Sequence, residues 1–207
     1  MVLDNISFSA ESGQSIGLVG INGSGKTTLL SILAGVQKCD DGEFIVNGQN
    51  ALCQKSLLSA TVGYVPQGAP LFEELSARDN LLLWYDRKTL KQEMSDGVLK
   101  MLGIAEFERK QVRKLSGGMK KRLAIGCAMA HKPPVLLMDE PMSALDIPCR
   151  EQVSSYLKRY QKAGGIVIIV SHDVHDLISC DQVYLLHNTK LQAITNIEDL
   201  KQTLCDL

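Results

Sequence analysis

No stretch of this chain is long enough to span a membrane. Apolar runs such as Val135–Met138 and Ile166–Val170 are strand-sized and fall far short of the ~20 residues a spanning helix needs. A role at a membrane would therefore need a second chain to supply the membrane part. The start, Met1-Val2-Leu3-Asp4-Asn5, lacks the basic region and apolar core of a secretory signal. An excess of one charge is also missing. Lys and Arg number 22 against 23 Asp and Glu, for a formal net charge of -1. The chain as a whole has no cationic field to draw it onto nucleic acid or anionic lipid, and no nucleic-acid partner is expected. The six cysteines (Cys39, Cys53, Cys127, Cys149, Cys180, Cys205) contain no C-x-x-C pair, which argues against a zinc site. A chain of 207 residues buries about 70% of its unfolded surface and folds without disulfides. The cysteines read as reduced, mostly packing thiols in a cytosolic protein. With 45% apolar and 22% charged residues, disorder, collagen and coiled coil are excluded, and one to two globular domains are expected.

What is present is an alternation of short apolar runs with amphipathic stretches, the α/β pattern. Ser15–Val19 reads as a buried strand, followed by a glycine loop and a helix from Lys26 to about Ala34 that Gly35 stops. Glu43–Val46 followed by Asn47-Gly48 reads as a strand and tight turn, and Thr61–Val65 as another strand. From Leu75 to about Phe107 the pattern turns helical, opened by the capping box Ser76-x-x-Asp79. Val135–Met138 is then a strand. Asp146 and Pro148 open a helix carrying Val153, Tyr156, Leu157 and Tyr160, which Gly164-Gly165 stops. Ile166–Val170 is a β-branched strand ending at Ser171-His172. A strand pair near Val183–Ile194 and a short helix from about Ile197 close the chain.

Gly20-Ile21-Asn22-Gly23-Ser24-Gly25-Lys26-Thr27 fits G-x-x-x-x-G-K-[ST] between a strand and a helix. Glycines let the backbone curl so that successive N–H groups point at phosphate oxygens. The following helix presents its positive end to the same anion. Lys26 is placed to reach the β- and γ-phosphates, and the Thr27 hydroxyl to ligate Mg²⁺. An ordinary glycine turn would match this pattern by chance on the order of one time in a hundred.

Val135-Leu136-Leu137-Met138-Asp139-Glu140 sets two carboxylates at the end of an apolar strand. Open α/β sheets bind ligands outside the carboxyl ends of their strands. There Asp139 can hold Mg²⁺, directly or through water, and Glu140 can orient or deprotonate the attacking water. A solvated strand end is the plainer alternative; the phosphate loop upstream favours the functional one.

Three more elements follow in order: Leu115-Ser116-Gly117-Gly118-Met119, Ser143-Ala144-Leu145-Asp146, and His172 at a strand end. Together with Gln67 and the two motifs above, the sequence resembles the ATP-binding cassette (ABC) ATPases over nearly its whole length. The resemblance implies an α/β fold: a P-loop NTPase core with a mostly parallel central sheet, a small antiparallel β part and an inserted helical subdomain. The core would comprise residues 1–70 and 126–207, and the helical signature subdomain 71–125.

The same resemblance implies the following roles. Gly20, Asn22, Gly23, Ser24, Gly25, Lys26, Thr27 and Thr28 would cradle ATP. Thr27, Gln67 and Asp139 would serve Mg²⁺. Glu140, His172, Lys26 and Gln67 would carry hydrolysis. Ser116, Gly117 and Gly118 would close on the γ-phosphate held by a second protomer, with Asp146 in a loop that crosses the interface. The implied partners are a second nucleotide-binding subunit, identical or not, and a separate transmembrane permease. The implied location is cytoplasmic, peripheral on the inner face of the cell membrane. Pro70, Leu71, Phe72 and Leu75 are the stretch where a permease would dock, unless they pack within the chain. The run Leu115–Arg122 and the compact length are closest to exporter-type members. A soluble ABC-type ATPase that remodels a protein or nucleic-acid assembly is the alternative.

Ser116-Gly117-Gly118 precedes a helical pattern and so offers a further anion-seeking helix start. Lys120, Lys121 and Arg122 then oppose the helix dipole. They read as a solvated basic face neutralised by carboxylates and are not assigned to the site. Two departures from the family stand out. Met119 replaces the commoner signature glutamine, and a thioether cannot match amide hydrogen bonding. The aromatic residue on which the family stacks adenine would lie upstream of the residue where this sequence starts, and neither Phe8 nor Tyr64 sits at the matching position. Base preference is thus left open, GTP included.

Overall fold

In the computed structural model, residues 2–68, 70–143 and 145–196 are described. The closing helix expected from about Ile197, and Cys205, lie outside them. The order is β1 (Ser15–Val19), α1 (Lys26–Leu33), β2 (Ile45–Val46), β3 (Gln49–Asn50), α2 (Lys55–Thr61), β4 (Val62–Val65), α3 (Ala77–Leu81), α4 (Arg87–Ser95), α5 (Val98–Met101), α6 (Gly117–Ala128), β5 (Val135–Asp139), α7 (Ile147–Lys162), β6 (Ile166–Val170), α8 (Val174–Ile178), β7 (Gln182–His187) and β8 (Lys190–Ile194).

The main sheet runs β4-β5-β6-β1-β7-β8. Every pairing is parallel except β7 with β8. β2 and β3 form a separate antiparallel hairpin whose turn residues, Asn47 and Gly48, both have positive φ, as a two-residue turn of matching twist requires. Mixed α/β architecture, a mostly parallel sheet and a small antiparallel part are as the sequence implied.

Continuous apolar runs form the inner strands because both faces are covered. Along β5, Val135 and Leu137 join one apolar cluster with Leu29, Leu30 and Leu58 from α1 and α2. Leu136 and Met138 join the other, with Leu123 of α6, Val153 of α7 and Leu81, Leu90 and Leu99 of the helical stretch. β6 alternates the same way, Ile168 and Val170 against Val167 and Ile169. The two-residue period of a strand thus divides one run between two cores.

Several expected boundaries are corrected. Thr61 ends α2 rather than starting β4, and its hydroxyl donates back to the Leu57 carbonyl at 2.6 Å. Only Ile45–Val46 of Glu43–Val46 is strand. The stretch from Leu75 to Phe107 is helical as expected, in several short pieces. It breaks into α3, α4, α5 and a turn at Ile104–Glu106, with Ser76 capping α3, Asp86 capping α4 and Gly97 preceding α5. The sheet order carries the C-terminal ends of β1, β5 and β6, three adjacent strands, to one edge of the molecule, where the loops after them meet.

Candidate active site

The loop after β1 turns on glycine. Gly23 and Gly25 have φ of 81° and 107°, left-handed values that side chains disfavour. At Gly20 the constraint is steric: a Cβ would stand 2.3 Å from the Leu186 carbonyl oxygen. α1 follows with no side-chain cap and no acidic residue in its first turn. Its first N–H groups and its positive end are therefore left for an anion. The Lys26 ammonium folds back over the loop and donates to the carbonyls of Gly20 (2.7 Å) and Ile21 (2.9 Å). Burial pushes its pKa down, opposed by the charges of Glu140 and Asp139. The Ser24 hydroxyl is buried and without a partner. Asn22, Gly23 and Thr27 are exposed along this loop, and Thr28 is half-buried.

β5 delivers Asp139 beneath the loop. Its carboxylate accepts a hydrogen bond from the Thr27 hydroxyl at 2.7 Å, and the residue is only 2% exposed. The next residue, Glu140, takes a left-handed φ of 51°, uncommon for a residue with a side chain. Its N–H donates to the Val170 carbonyl at 2.9 Å, which pins the strand end to β6. One Glu140 carboxylate oxygen, Oε1, is buried without a hydrogen bond. Burial raises its pKa first, and the adjoining Asp139 charge second. The His172 Nε2 lies 3.5 Å from that oxygen. Burial and the Lys26 charge lower the His172 pKa. The imidazole is therefore neutral near pH 7, and the contact is no ion pair.

Four expected residues, Lys26, Thr27, Asp139 and Glu140, thus converge, with His172 beside them. Gln67 is exposed after β4; its carbonyl accepts from the Lys121 ammonium at 3.4 Å. That ammonium also reaches the Asp139 carbonyl at 3.5 Å. Ser116 caps α6 by accepting from the Met119 N–H at 3.3 Å, while Ser116 and Gly117 remain exposed and Gly118 is buried. Asp146 is exposed and caps α7, accepting from the Cys149 N–H at 2.9 Å.

The basic run after the signature is not the solvated face the sequence suggested. Only Lys120 fits that description, paired with Glu73 at 2.7 Å. Lys121 and Arg122 are 6% and 4% exposed. Arg122 donates to the Leu102 carbonyl and to Gln152 Oε1, and its guanidinium lies 5.1 Å from the centre of the Phe107 ring. A run of charges carries no sign of what will be packed over it. Lys121 is the residue near the site that sequence reasoning passed over.

A parallel α/β sheet with a phosphate loop, an acidic strand end and a histidine at the next strand end defines a P-loop nucleoside-triphosphatase. The family model described as ABC transporter matches residues 3–143, and the chain belongs to that family, whose ATP-binding subunits are ATPases. It is 32% identical to the linearmycin resistance ATP-binding protein LnrL of Bacillus subtilis, over 96% of this chain and 66% of that one. It is 34% identical to a probable sulfate/thiosulfate import ATP-binding protein CysA of Chlorella vulgaris, over 96% of this chain and 86% of that one. It is 35% identical to the spermidine/putrescine import ATP-binding protein PotA of Mycoplasma mycoides, over 97% of this chain and 58% of that one. The chain thus spans about two thirds of the first relative and little over half of the third. Among solved structures, the ATP-binding cassette MJ0796, a dimer in a post-hydrolysis state with ADP and Pi, matches with a TM-score of 0.80. The identity there is 25%, over 94% of this chain and 91% of that one.

Proposed function

We propose that this chain is the nucleotide-binding subunit of a membrane transporter, hydrolysing Mg-ATP in a sandwich formed with a second such subunit. The observation that carries the reading is the Thr27–Asp139 contact of 2.7 Å beneath the phosphate loop. It brings a hydroxyl and a carboxylate from distant parts of the chain to one point. These hard oxygen donors suit Mg²⁺, which takes few protein ligands and keeps its waters and phosphate oxygens. No cluster of three or more His, Cys, Asp or Glu that could hold a metal occurs among the described residues, in keeping with so sparse a site. When bound, Mg²⁺ neutralises charge on the phosphoryl oxygens.

The loop N–H groups and Lys26 bind the phosphates, with Ser24, Asn22 and Thr28 lining the cradle. Glu140 takes the proton of the attacking water, and its raised pKa suits a base working near neutral pH. His172, neutral, orients the γ-phosphate, and Gln67, in the loop after β4, would serve the metal and the attacking water. Ser116, Gly117 and Gly118 meet the nucleotide of the opposite subunit, with Asp146 at the interface. Residues 71–125 act as the helical subdomain inserted in a core of 1–70 and 126–207.

No helix among the described residues is long and apolar enough to cross a membrane; on this reading the partner is a transmembrane permease. Pro70 and Phe72 are exposed, whereas Leu75 is half-buried and Leu71 packs against the core, so Pro70 and Phe72 are the part of this stretch offered for docking. The subunit lies on the cytoplasmic face of the membrane. The named relatives include a resistance protein and import proteins. The test is Glu140→Gln, which retains binding and blocks the base. With saturating Mg-ATP this variant elutes as a dimer on gel filtration. A variant that binds Mg-ATP yet stays monomeric sinks the sandwich.

A further inference from the structure

Lys121 stands on α6, about one turn from the Ser116 cap, with its side chain buried. Its ammonium makes no ion pair with a carboxylate among the described residues. Its two contacts are backbone carbonyls, Gln67 at 3.4 Å and Asp139 at 3.5 Å. Both are long for hydrogen bonds. A buried cation with two weak acceptors is a poor contributor to stability, and an apolar side chain of similar volume would fill the space better. Its place explains what else it does. The Gln67 loop follows β4 and Asp139 ends β5, neighbouring strands of the sheet, and beyond the last ladder pair the Lys121 ammonium reaches a carbonyl of each. Burial pushes the Lys121 pKa down, and the Asp139 and Glu140 charges oppose that shift; in its charged form the ammonium offsets the repulsion between those neighbouring carboxylates.

We propose that Lys121 is a positioning residue for hydrolysis: its buried ammonium ties the Gln67 loop to the Asp139 strand end and fixes both to the helix that begins at Ser116. α6 then links two functions. Its first turn presents the signature to the nucleotide of the opposite subunit, and Lys121, about one turn on, steadies the residues that serve this chain's own nucleotide. The inference rests on the roles proposed above for Gln67, Asp139 and Glu140. It adds a residue outside the phosphate loop, the acidic strand end and the signature.

The test is steady-state ATPase of the full chain as wild type, Lys121→Met and Lys121→Arg, with affinity for a fluorescent ATP analogue and thermal melting measured alongside. Lys121→Met keeps the volume and removes the charge. It should melt at or above the wild-type temperature, lose about tenfold or more in kcat, and keep KM and analogue affinity within about threefold. Lys121→Arg should recover most of the lost kcat. Loss of packing alone would lower the melting temperature and would not be rescued by charge. Wild-type kcat in a folded Lys121→Met protein overturns the proposal, as does Lys121→Arg being as slow as Lys121→Met. If Lys121→Met does not fold, Lys121→Gln replaces it under the same criteria. A wild-type chain without ATPase activity overturns the proposed function as well, whereas an active wild type with an equally active Lys121→Met overturns this inference alone.

Discussion

Adjacent carboxylates, Asp139 and Glu140, are held in opposite ways. Asp139 is the partner of Thr27; Glu140 has a buried oxygen with no partner and a neutral histidine at 3.5 Å. A satisfied group is fixed, and an unsatisfied one is available for a proton. The pair was legible in the sequence because an apolar strand ending in two acids is a local pattern. The left-handed φ of Glu140 was not, since it depends on the hydrogen bond its N–H gives to β6. Nor was the burial of Lys121 and Arg122, which the packing of Phe107 and the Gln67 loop decides. The cysteines show the same limit. Cys127 and Cys149 are buried as expected, yet Cys53 is exposed. Burial pushes the Cys127 thiol up to about 12, and burial with the Asp176 charge does the same for Cys180. Both stay protonated at pH 8, and only a thiolate reacts. A maleimide pulse at pH 8, mapped by peptide mass spectrometry, should label Cys53 well before Cys127 or Cys180, and unfolding in urea should abolish the difference. Equal labelling in the native protein would contradict the burial described.

At the scale of elements, α6 is packed on nearly every side. Gly118 lies against Cys149, where a Cβ would stand 3.1 Å from its sulfur, and at Gly126 a Cβ would stand 2.8 Å from Leu99 and 2.9 Å from Ile104. The far end of the helix is held by Tyr85, whose hydroxyl donates to the Gly126 carbonyl at 2.8 Å. That carbonyl is among the last four of the helix, which lack partners within it. Tyr85→Phe should leave it unsatisfied in a buried place and cost about 1–3 kcal/mol. In urea the midpoint should fall with the slope unchanged; an unmoved midpoint would mean that water replaces the hydroxyl without loss. Helices with strong local signals were legible: α1 after its glycine loop, and α7 with Asp146 as cap and Pro148 in its first turn. α2 was not. Gln54 before it makes no side-chain cap, and its last residue, β-branched Thr61, reads as strand. α8 has five residues, too few to show a period. The stretch before α6 was legible as helical, but its division into α3, α4 and α5 was not, because the breaks rest on single caps such as Asp86.

At the scale of the whole molecule, the order β4-β5-β6-β1-β7-β8 follows from no local signal. It places the first strand between the sixth and seventh, and only the packed sheet decides that. What it achieves is convergence: residues 26, 139, 140 and 172 meet, although about 150 positions separate the first from the last. The exposed Ser116 and Gly117 are the part of the set that this convergence leaves facing outward, which is why two copies are needed on the proposed reading. Mixing two inactive variants tests that directly. Lys26→Ala disables a chain's own phosphate loop, and Ser116→Arg disables its signature. In a mixed dimer both defects fall in one composite site, because the loop of the first chain faces the signature of the second. The other site pairs an intact loop with an intact signature. Each variant alone should be inactive. An equal mixture should recover up to about a quarter of wild-type activity, since half the dimers are mixed and each holds one sound site of two. If every chain built its whole site from its own residues, no mixture could recover anything, and the activity would stay at the level of the separate variants.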